Sequence, residues 1–360
     1  MKILFISEQE AKISSGMSWS VPARVKAQSK IDDVLWINLQ DEYLLHWSEI
    51  DVFHTIGEYS KLDLKCLPEE FSRPDVVVFE GFYYMSHVKF AKQLKGANIP
   101  YVIVPRCSLT NQALHNHAWL KKWIAHKLFF NNYIRGAWKI QYLTQQEADD
   151  SVENFKTPYI IIPNGFGTPK ESKREFSNGC VHATFIGRLD MYQKGLDILL
   201  DALTDLHDDL RQVKFTLSIF GPQNLDCHKI EKEISKRKID DIVFLYNEIG
   251  GEYKKKVLLD TDIFVLTSRF EGHPMGLIEA LAYGLPCLVT PGSNMATEIK
   301  EADAGWICEG NVESIKHTIL MAIKDRHLYE RKGMNAKNLA KIYDWDKLAL
   351  DFHNEISSLI

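Results

Sequence analysis

Residues 262–294 read DIFVLTSRFEGHPMGLIEALAYGLPCLVTPGSN, with Glu271 and Glu279 eight positions apart. A buried strand over 263–266 ends at Thr267-Ser268, and a short loop carries Arg269 to His273. Proline suits the first position of a helix, where its missing N–H costs nothing, so a helix is expected from Pro274 through Leu281. The amides of Met275, Gly276 and Leu277 then have no partner within the helix. They stand at the positive end of its dipole, where an anion such as a diphosphate binds. Gly276 lets a ligand approach the backbone closely. Glu271 lies just before this pocket. Glu279 lies inside the helix, where its carboxylate suits two vicinal hydroxyls of a ribose.

The elements that must position these groups follow from the apolar pattern. Short runs rich in Val, Ile and Phe occur at 1–7, 34–39, 75–80, 101–105, 139–144 and 159–163. A second set occurs at 183–187, 215–221, 243–245, 262–268, 286–290 and 305–307. They are mostly continuous rather than alternating, as in parallel strands buried on both faces. The segments between them carry helical periodicity; in 195–206, Leu196, Leu199, Leu200, Leu203 and Leu206 share one face. Strand alternating with helix implies a doubly wound α/β architecture, whose ligands lie beyond the carboxyl ends of the strands. Pro163-Asn164-Gly165 closes a strand with turn residues, and the polar run 168–179 reads as linker chemistry. A first domain is therefore expected at 1–165, a second at 166–340, and a terminal helix at 341–360. A length of 360 residues also suits two domains.

The stretch from Glu271 to Glu279 resembles the E-x7-E signature of the family-four retaining glycosyltransferases, which have the GT-B fold. Ala280-Leu281-Ala282-Tyr283-Gly284-Leu285-Pro286 matches the usual continuation. Phe185-Ile186-Gly187-Arg188-Leu189, followed by Gln193-Lys194-Gly195-Leu196, is similar to the family's G-R…K-G pattern, and Tyr343-Asp344-Trp345 resembles an aromatic pair where the last helix returns to the first domain. The resemblance implies two Rossmann-like domains with a cleft between them. It implies donor contacts from Gly16, Arg188, Lys194, Glu271, Gly272, His273, Pro274, Met275, Gly276, Leu277 and Glu279. Arg188 and Lys194 would meet the diphosphate, Glu271 the donor sugar and Glu279 the ribose, with Arg188, Lys194 and Glu271 as the catalytic set. No DxD-like carboxylate cluster stands beside the motif, so neither a metal nor a cofactor is expected. Taken singly, Glu279, Arg188 and Lys194 read better as solvated charges. Their order and context together point to a nucleotide-sugar site.

The first half is less specific. Gly16 stands after the first strand where many members have paired glycines. Pro105-Arg106-Cys107-Ser108 occupies the place of a Pro-His-Gly or Pro-Arg-Gly loop, with Cys107 where others have glycine. Arg106, Ser108 and His115 (or His117) are the acceptor candidates, against a reading of the histidines as helix-surface residues. Residues 81–146 hold no Asp or Glu, and their lysines and arginines are interleaved with Trp119, Trp123, Phe129, Phe130 and Trp138. Such a face can lie on an anionic bilayer and would suit a lipid-linked glycan acceptor; it reads otherwise as aromatic core with solvated charge.

Composition is that of a globular protein, with 45% hydrophobic and 25% charged residues. A net charge of −5 argues against coating nucleic acid. The six cysteines form no CxxC pair and suit a reducing compartment. The apolar start of MKILFISEQE meets Glu8 and Glu10 within a few residues, which fits a strand rather than a signal peptide. A cytoplasmic enzyme, peripheral on the inner membrane face, is the expectation. The acceptor expected is an intermediate of cell-surface polysaccharide such as capsule or lipopolysaccharide. Two other readings stay open: a GT-B nucleotide-sugar epimerase, and a catalytically silent sugar-nucleotide-binding partner subunit.

Overall fold

A computed structural model describes residues 1–13, 15–114, 124–152, 156–173, 175–177, 179–223 and 225–358. The chain divides into two compact units, Met1–Gly165 with Trp345–Ile360, and Phe166–Asp344.

In the first unit, the described strands are β1 (Lys2–Ser7), β2 (Asp33–Asn38), β3 (Phe53–Thr55), β4 (Val76–Glu80), β5 (Tyr101–Val104), β6 (Lys139–Tyr142) and β7 (Tyr159–Ile161). They form one parallel sheet in the order β3-β2-β1-β4-β5-β6-β7. Alternate residues of the central strands enter two separate cores. Leu4, Ile6, Val77, Phe79 and Ile103 face one, and Ile3, Phe5, Val76, Val78 and Val102 face the other. Burial on both faces explains why these strands read as continuous apolar runs. Strand β3 was not expected. It is a three-residue edge strand, partly exposed throughout, and its Phe-His-Thr sequence makes no apolar run. Phe53 joins it to the core by packing on Trp36, ring centroids 4.6 Å apart.

The second unit holds β8 (Val181–Ile186), β9 (Phe215–Phe220), β10 (Val243–Tyr246), β11 (Ile263–Leu266), β12 (Cys287–Val289) and β13 (Gly305–Ile307). These pair in parallel in the order β10-β9-β8-β11-β12-β13. Helix Leu196–Asp205 buries Leu196, Leu199, Leu200 and Leu203 against this sheet, the face its periodicity marks. In each sheet the strand order reverses beside the unit's first strand, between β1 and β4 and between β8 and β11. That is where open α/β sheets leave a crevice for ligands.

The run 168–179 is not a free linker. Asp262 is fully buried and its carboxylate accepts from the backbone amides of Ser177 (3.0 Å) and His182 (2.9 Å), with the Lys173 ammonium at 3.5 Å. A buried carboxylate needs such partners, and they draw the polar run onto the second unit. That unit extends to Asp344: Phe166 donates its N–H to the Tyr343 carbonyl at 2.8 Å, and Thr168 its hydroxyl to Asp344 at 3.0 Å. Tyr343 is buried in the second unit's core, whereas Trp345, two residues on, is buried in the first unit's.

The C-terminal helix Trp345–Ser357 adds Leu348, Phe352 and Ile356 to the first unit's core. The Phe352 ring lies 4.6 Å from the Arg24 guanidinium. Arg24 belongs to a buried network at the carboxyl ends of β4 to β6. Glu80, fully buried, accepts from Arg24 at 2.8 Å and from Arg106 Nε at 2.9 Å. Arg106 also reaches Ser20 at 3.0 Å and Asn164 at 3.1 Å. Arg24 reaches Gln141 at 2.6 Å. Arg106 and Cys107 both take left-handed backbone, φ 50 and 65. That conformation is why glycine suits the Cys107 position. Arg106, expected to meet an acceptor, instead has its guanidinium engaged within the fold.

Breaking a buried ion pair by removing one partner leaves an uncompensated charge. Glu80→Ala strands two arginines, so it is expected to lower unfolding free energy by about 3–5 kcal/mol. Urea titration followed by tryptophan fluorescence measures this; a loss below about 1 kcal/mol would contradict the network's structural role.

Candidate nucleotide-sugar site

Three loops meet at the carboxyl edge of the second sheet: those after β8, β11 and β12. The loop after β8 carries Arg188, Gln193, Lys194 and Gly195. Gly195 adopts left-handed backbone, φ 62, and a Cβ there would lie 2.1 Å from the Thr267 carbonyl oxygen. Thr267 in turn donates its hydroxyl to the carbonyls of Lys194 (3.2 Å) and Gly195 (3.3 Å). The first loop is thereby clamped across the end of β11. Gln193 extends the seam: its carbonyl accepts from the Arg269 N–H at 2.8 Å, and its side-chain amide donates to the Phe270 carbonyl at 3.3 Å.

This crossing turns Lys194 inward. Its ammonium meets Glu271 Oε1 at 2.5 Å, with both side chains under one-tenth exposed. The Ser268 hydroxyl donates to the same oxygen at 2.5 Å. The loop after β12 holds Glu271 from behind. Asn294, itself left-handed at φ 58, donates to the carbonyls of Glu271 (2.5 Å) and Gly272 (3.1 Å). Gly292 passes so close that a Cβ would sit 2.3 Å from the Arg269 carbonyl oxygen.

Arg188 is exposed, and its guanidinium donates to the Gln193 side chain at 3.1 Å. Among the described residues it has no carboxylate partner. Arg269 differs: Asp197 accepts from both its terminal nitrogens at 2.7 and 2.8 Å. That pairing raises the pKa of Arg269 and fixes its charge as structural.

Helix Met275–Ala282 begins one residue later than expected. Pro274 precedes it in extended conformation, ψ 108. The amides of Met275 and Gly276 have no partner among the described residues. Leu277, however, donates its N–H to the Pro274 carbonyl at 3.0 Å and is buried, so it is not among the open donors. The close approach at Gly276 is also to protein: a Cβ would lie 2.8 Å from the Ile186 carbonyl oxygen, at the end of β8. Glycine is required there for helix and strand to meet. His273 is buried beside the Tyr343 ring, centroids 5.1 Å apart, and burial pushes its pKa down to about 3. Its position suits a neutral packing residue.

Glu279 is mostly buried on the same helix and forms an ion pair with Lys254. Lys254 is a neighbour sequence reasoning missed, because the run Lys254-Lys255-Lys256 reads as a solvated face. Ser268 and Asn294 were missed as well, lacking any charge to mark them. Of the candidates in the first unit, Gly16 is exposed and right-handed at φ −59, so its backbone does not demand glycine. Ser108 donates its N–H to the Pro105 carbonyl at 3.1 Å within a turn. His115 and His117 lie outside the described residues.

Two expectations follow. Gly195→Ala combines left-handed strain with a clash on the Thr267 carbonyl and should destabilise the second unit by more than about 1 kcal/mol. Calorimetric unfolding checks this, and an unchanged transition would refute the clamp. The second concerns pH. His273 and the buried His87 are both held near 3, well below the ordinary 6.5 of an unfolded histidine. Above pH 6.5 neither state binds the proton. Below it the unfolded chain takes up protons that the folded chain refuses, so stability falls as pH drops from about 6.5 towards 3. Urea midpoints between pH 7 and 5 should show this fall, with a shallower slope in His273→Gln.

Residues 170–339 match the family described as Glycosyl transferases group 1. An uncharacterized glycosyltransferase of Methanocaldococcus jannaschii is 26% identical over 239 residues, covering 64% of this chain and 62% of that one. The chain spans less than two thirds of the length of the curated relatives it matches. The crystal structure of Anabaena HepE in complex with UDP and glucose superposes over the whole of both chains, with a TM-score of 0.76 at 16% identity. WaaG, a glycosyltransferase involved in lipopolysaccharide biosynthesis, superposes over 99% of both chains, with a TM-score of 0.70 at 15% identity. The clamp at Gly195, the inward Lys194–Glu271 pair and the helix start behind Pro274 thus stand within 170–339, and the chain has the GT-B fold, with a second unit that matches the group 1 glycosyl transferases.

Proposed function

We propose that this protein is a retaining glycosyltransferase that moves a hexose or related sugar from a nucleoside-diphosphate sugar to a glycan or lipid-linked glycan. The observation carrying the reading is a charge arrangement at the point where the second sheet's strand order reverses. There Arg188, without a carboxylate partner among the described residues, accompanies the inward Lys194 and the open amides of Met275 and Gly276.

Breaking the bond between the anomeric carbon and the diphosphate oxygen develops negative charge on the leaving group. Arg188, Lys194 and the helix N-terminus supply fixed positive charge for it, so no metal is needed for that task. The acceptor hydroxyl attacks from the face the diphosphate leaves, its oxygen joins the anomeric carbon, and its proton passes to a diphosphate oxygen. Glu271, positioned by Lys194 and Ser268, lies against the donor sugar. Glu279 accepts from the ribose hydroxyls.

Among the described residues, Ile124, Leu128 and Phe129 are exposed beside Lys127 in the carboxylate-free stretch. This supports peripheral contact with an anionic membrane on the cytoplasmic side, where cell-surface polysaccharide precursors grow. No described helix is long and apolar enough to cross a membrane. WaaG's part in lipopolysaccharide biosynthesis fits the same setting.

Calorimetry against UDP, GDP, ADP and their common sugars, with EDTA present, tests the donor site. Tight binding of one nucleotide, unchanged by EDTA and weakened in Glu279→Ala, is expected; HepE's ligand makes UDP the first to try. No binding by the folded protein would end the donor assignment. Arg188→Ala should then lower turnover by about two to three orders of magnitude while donor binding stays measurable. That separation also distinguishes an enzyme from a silent binding subunit.

A further inference from the structure

The group 1 signature supplies both glutamates but not the cation that holds the second. From the ion pair between Lys254 and Glu279 we propose that Lys254 is a positioning residue of the donor site, which orients the Glu279 carboxylate to read the 2′-hydroxyl of the nucleotide's ribose. The proposal rests on the donor site described above.

Lys254 lies on helix Gly251–Asp260, which follows β10. Its two neighbours in sequence behave differently. Lys255 turns to Glu171 at 2.9 Å, and Lys256 is exposed. Lys254 alone of the three turns to the signature helix, with its side chain 22% exposed and that of Glu279 only 14% exposed. Holding a long lysine side chain in one arrangement costs rotamer entropy, so a shielded contact of this kind marks a defined geometry.

Glu279 lies four residues after Met275 and three after Gly276, so carboxylate and open amides share one face of the helix, a turn apart. A turn spans about 5.4 Å. A diphosphate on the amides therefore places its ribose beside Glu279. A carboxylate offers about four acceptor positions, and the ammonium occupies one side of it. The other side is left to accept from vicinal hydroxyls. Without Lys254 the carboxylate loses the contact that fixes its rotamer. Discrimination between ribose and 2′-deoxyribose should suffer more than general diphosphate binding, which Arg188 and Lys194 sustain.

The test is calorimetric binding of UDP, GDP and ADP beside their 2′-deoxy counterparts. The proteins are wild type, Lys254→Ala, Lys254→Gln, Lys254→Arg and Glu279→Gln, each confirmed folded by its thermal transition. Wild type is expected to prefer the ribonucleotide by about tenfold or more, the scale of a hydrogen bond to a charged group. Lys254→Ala and Lys254→Gln should bring the ratio towards one, as should Glu279→Gln, and Lys254→Arg should keep most of it. A folded Lys254→Ala or Lys254→Gln protein with the wild-type ratio overturns the proposal. So does a wild type that binds both sugars equally well, which leaves the donor site itself standing. A wild type that binds no nucleotide at all removes the donor site, and the role of Lys254 with it.

Discussion

The approach of the loop after β8 to the end of β11 sets the rest of the site. At Gly195 the backbone must turn left-handed within van der Waals contact of the Thr267 carbonyl, which no side chain permits. Everything nearby follows from that crossing. Lys194 is turned towards Glu271, Gln193 is bound to the backbone of Arg269 and Phe270, and helix Leu196–Asp205 starts at once. A looser crossing would leave Lys194 on the surface with its neighbours, and the buried oxygen of Glu271 would keep only the Ser268 hydroxyl.

The pair so formed is held from three sides. Ser268 donates to the oxygen that Lys194 meets, and Asn294 fixes the backbone carrying Glu271. Two charges taken from water repay their desolvation only when their remaining hydrogen-bonding capacity is met. Here much of it is. Such a pair adds little to stability compared with an apolar alternative, but it fixes the position of two charged groups before any ligand arrives. Preorganised charge is what stabilises a developing diphosphate, because no reorganisation is needed at the moment of reaction.

Much of the sheet architecture was legible because burial on both faces leaves continuous apolar runs. The exception, β3, is a partly exposed edge where the signal is weakest. The linker at 168–179 misled for a related reason. Its polar residues describe composition, whereas its place is set by Asp262, a carboxylate distant in sequence that collects its backbone. At the site, Glu271, Lys194 and Gly195 stood out as charged or glycine positions in a known spacing. Ser268, Asn294 and Lys254 did not, since their roles come from partners that the fold alone brings near. At Gly276 one neighbour was not foreseen: the carbonyl of Ile186 requires glycine, because helix and strand ends meet there.

The two units share one architecture but complete their charges differently. In the first, the edge of β4 to β6 is closed: Glu80 takes two guanidiniums, and Ser20, Asn164 and Gln141 take donors that it cannot. Burial even lowers the pKa of Arg24 to about 10, the mark of a cation held where charge is disfavoured. The two arginines outnumber their carboxylate, but their N–H groups are turned onto protein acceptors. In the second unit, the corresponding edge pairs Lys194 and Arg269 with carboxylates but, among the described residues, leaves Arg188 and two helix amides without any. An exposed guanidinium beside open amides at a strand-order reversal is of little use to a scaffold and useful for binding a diphosphate. The difference in exposure therefore supports the proposal that the second unit binds the donor, on physical grounds that do not depend on resemblance.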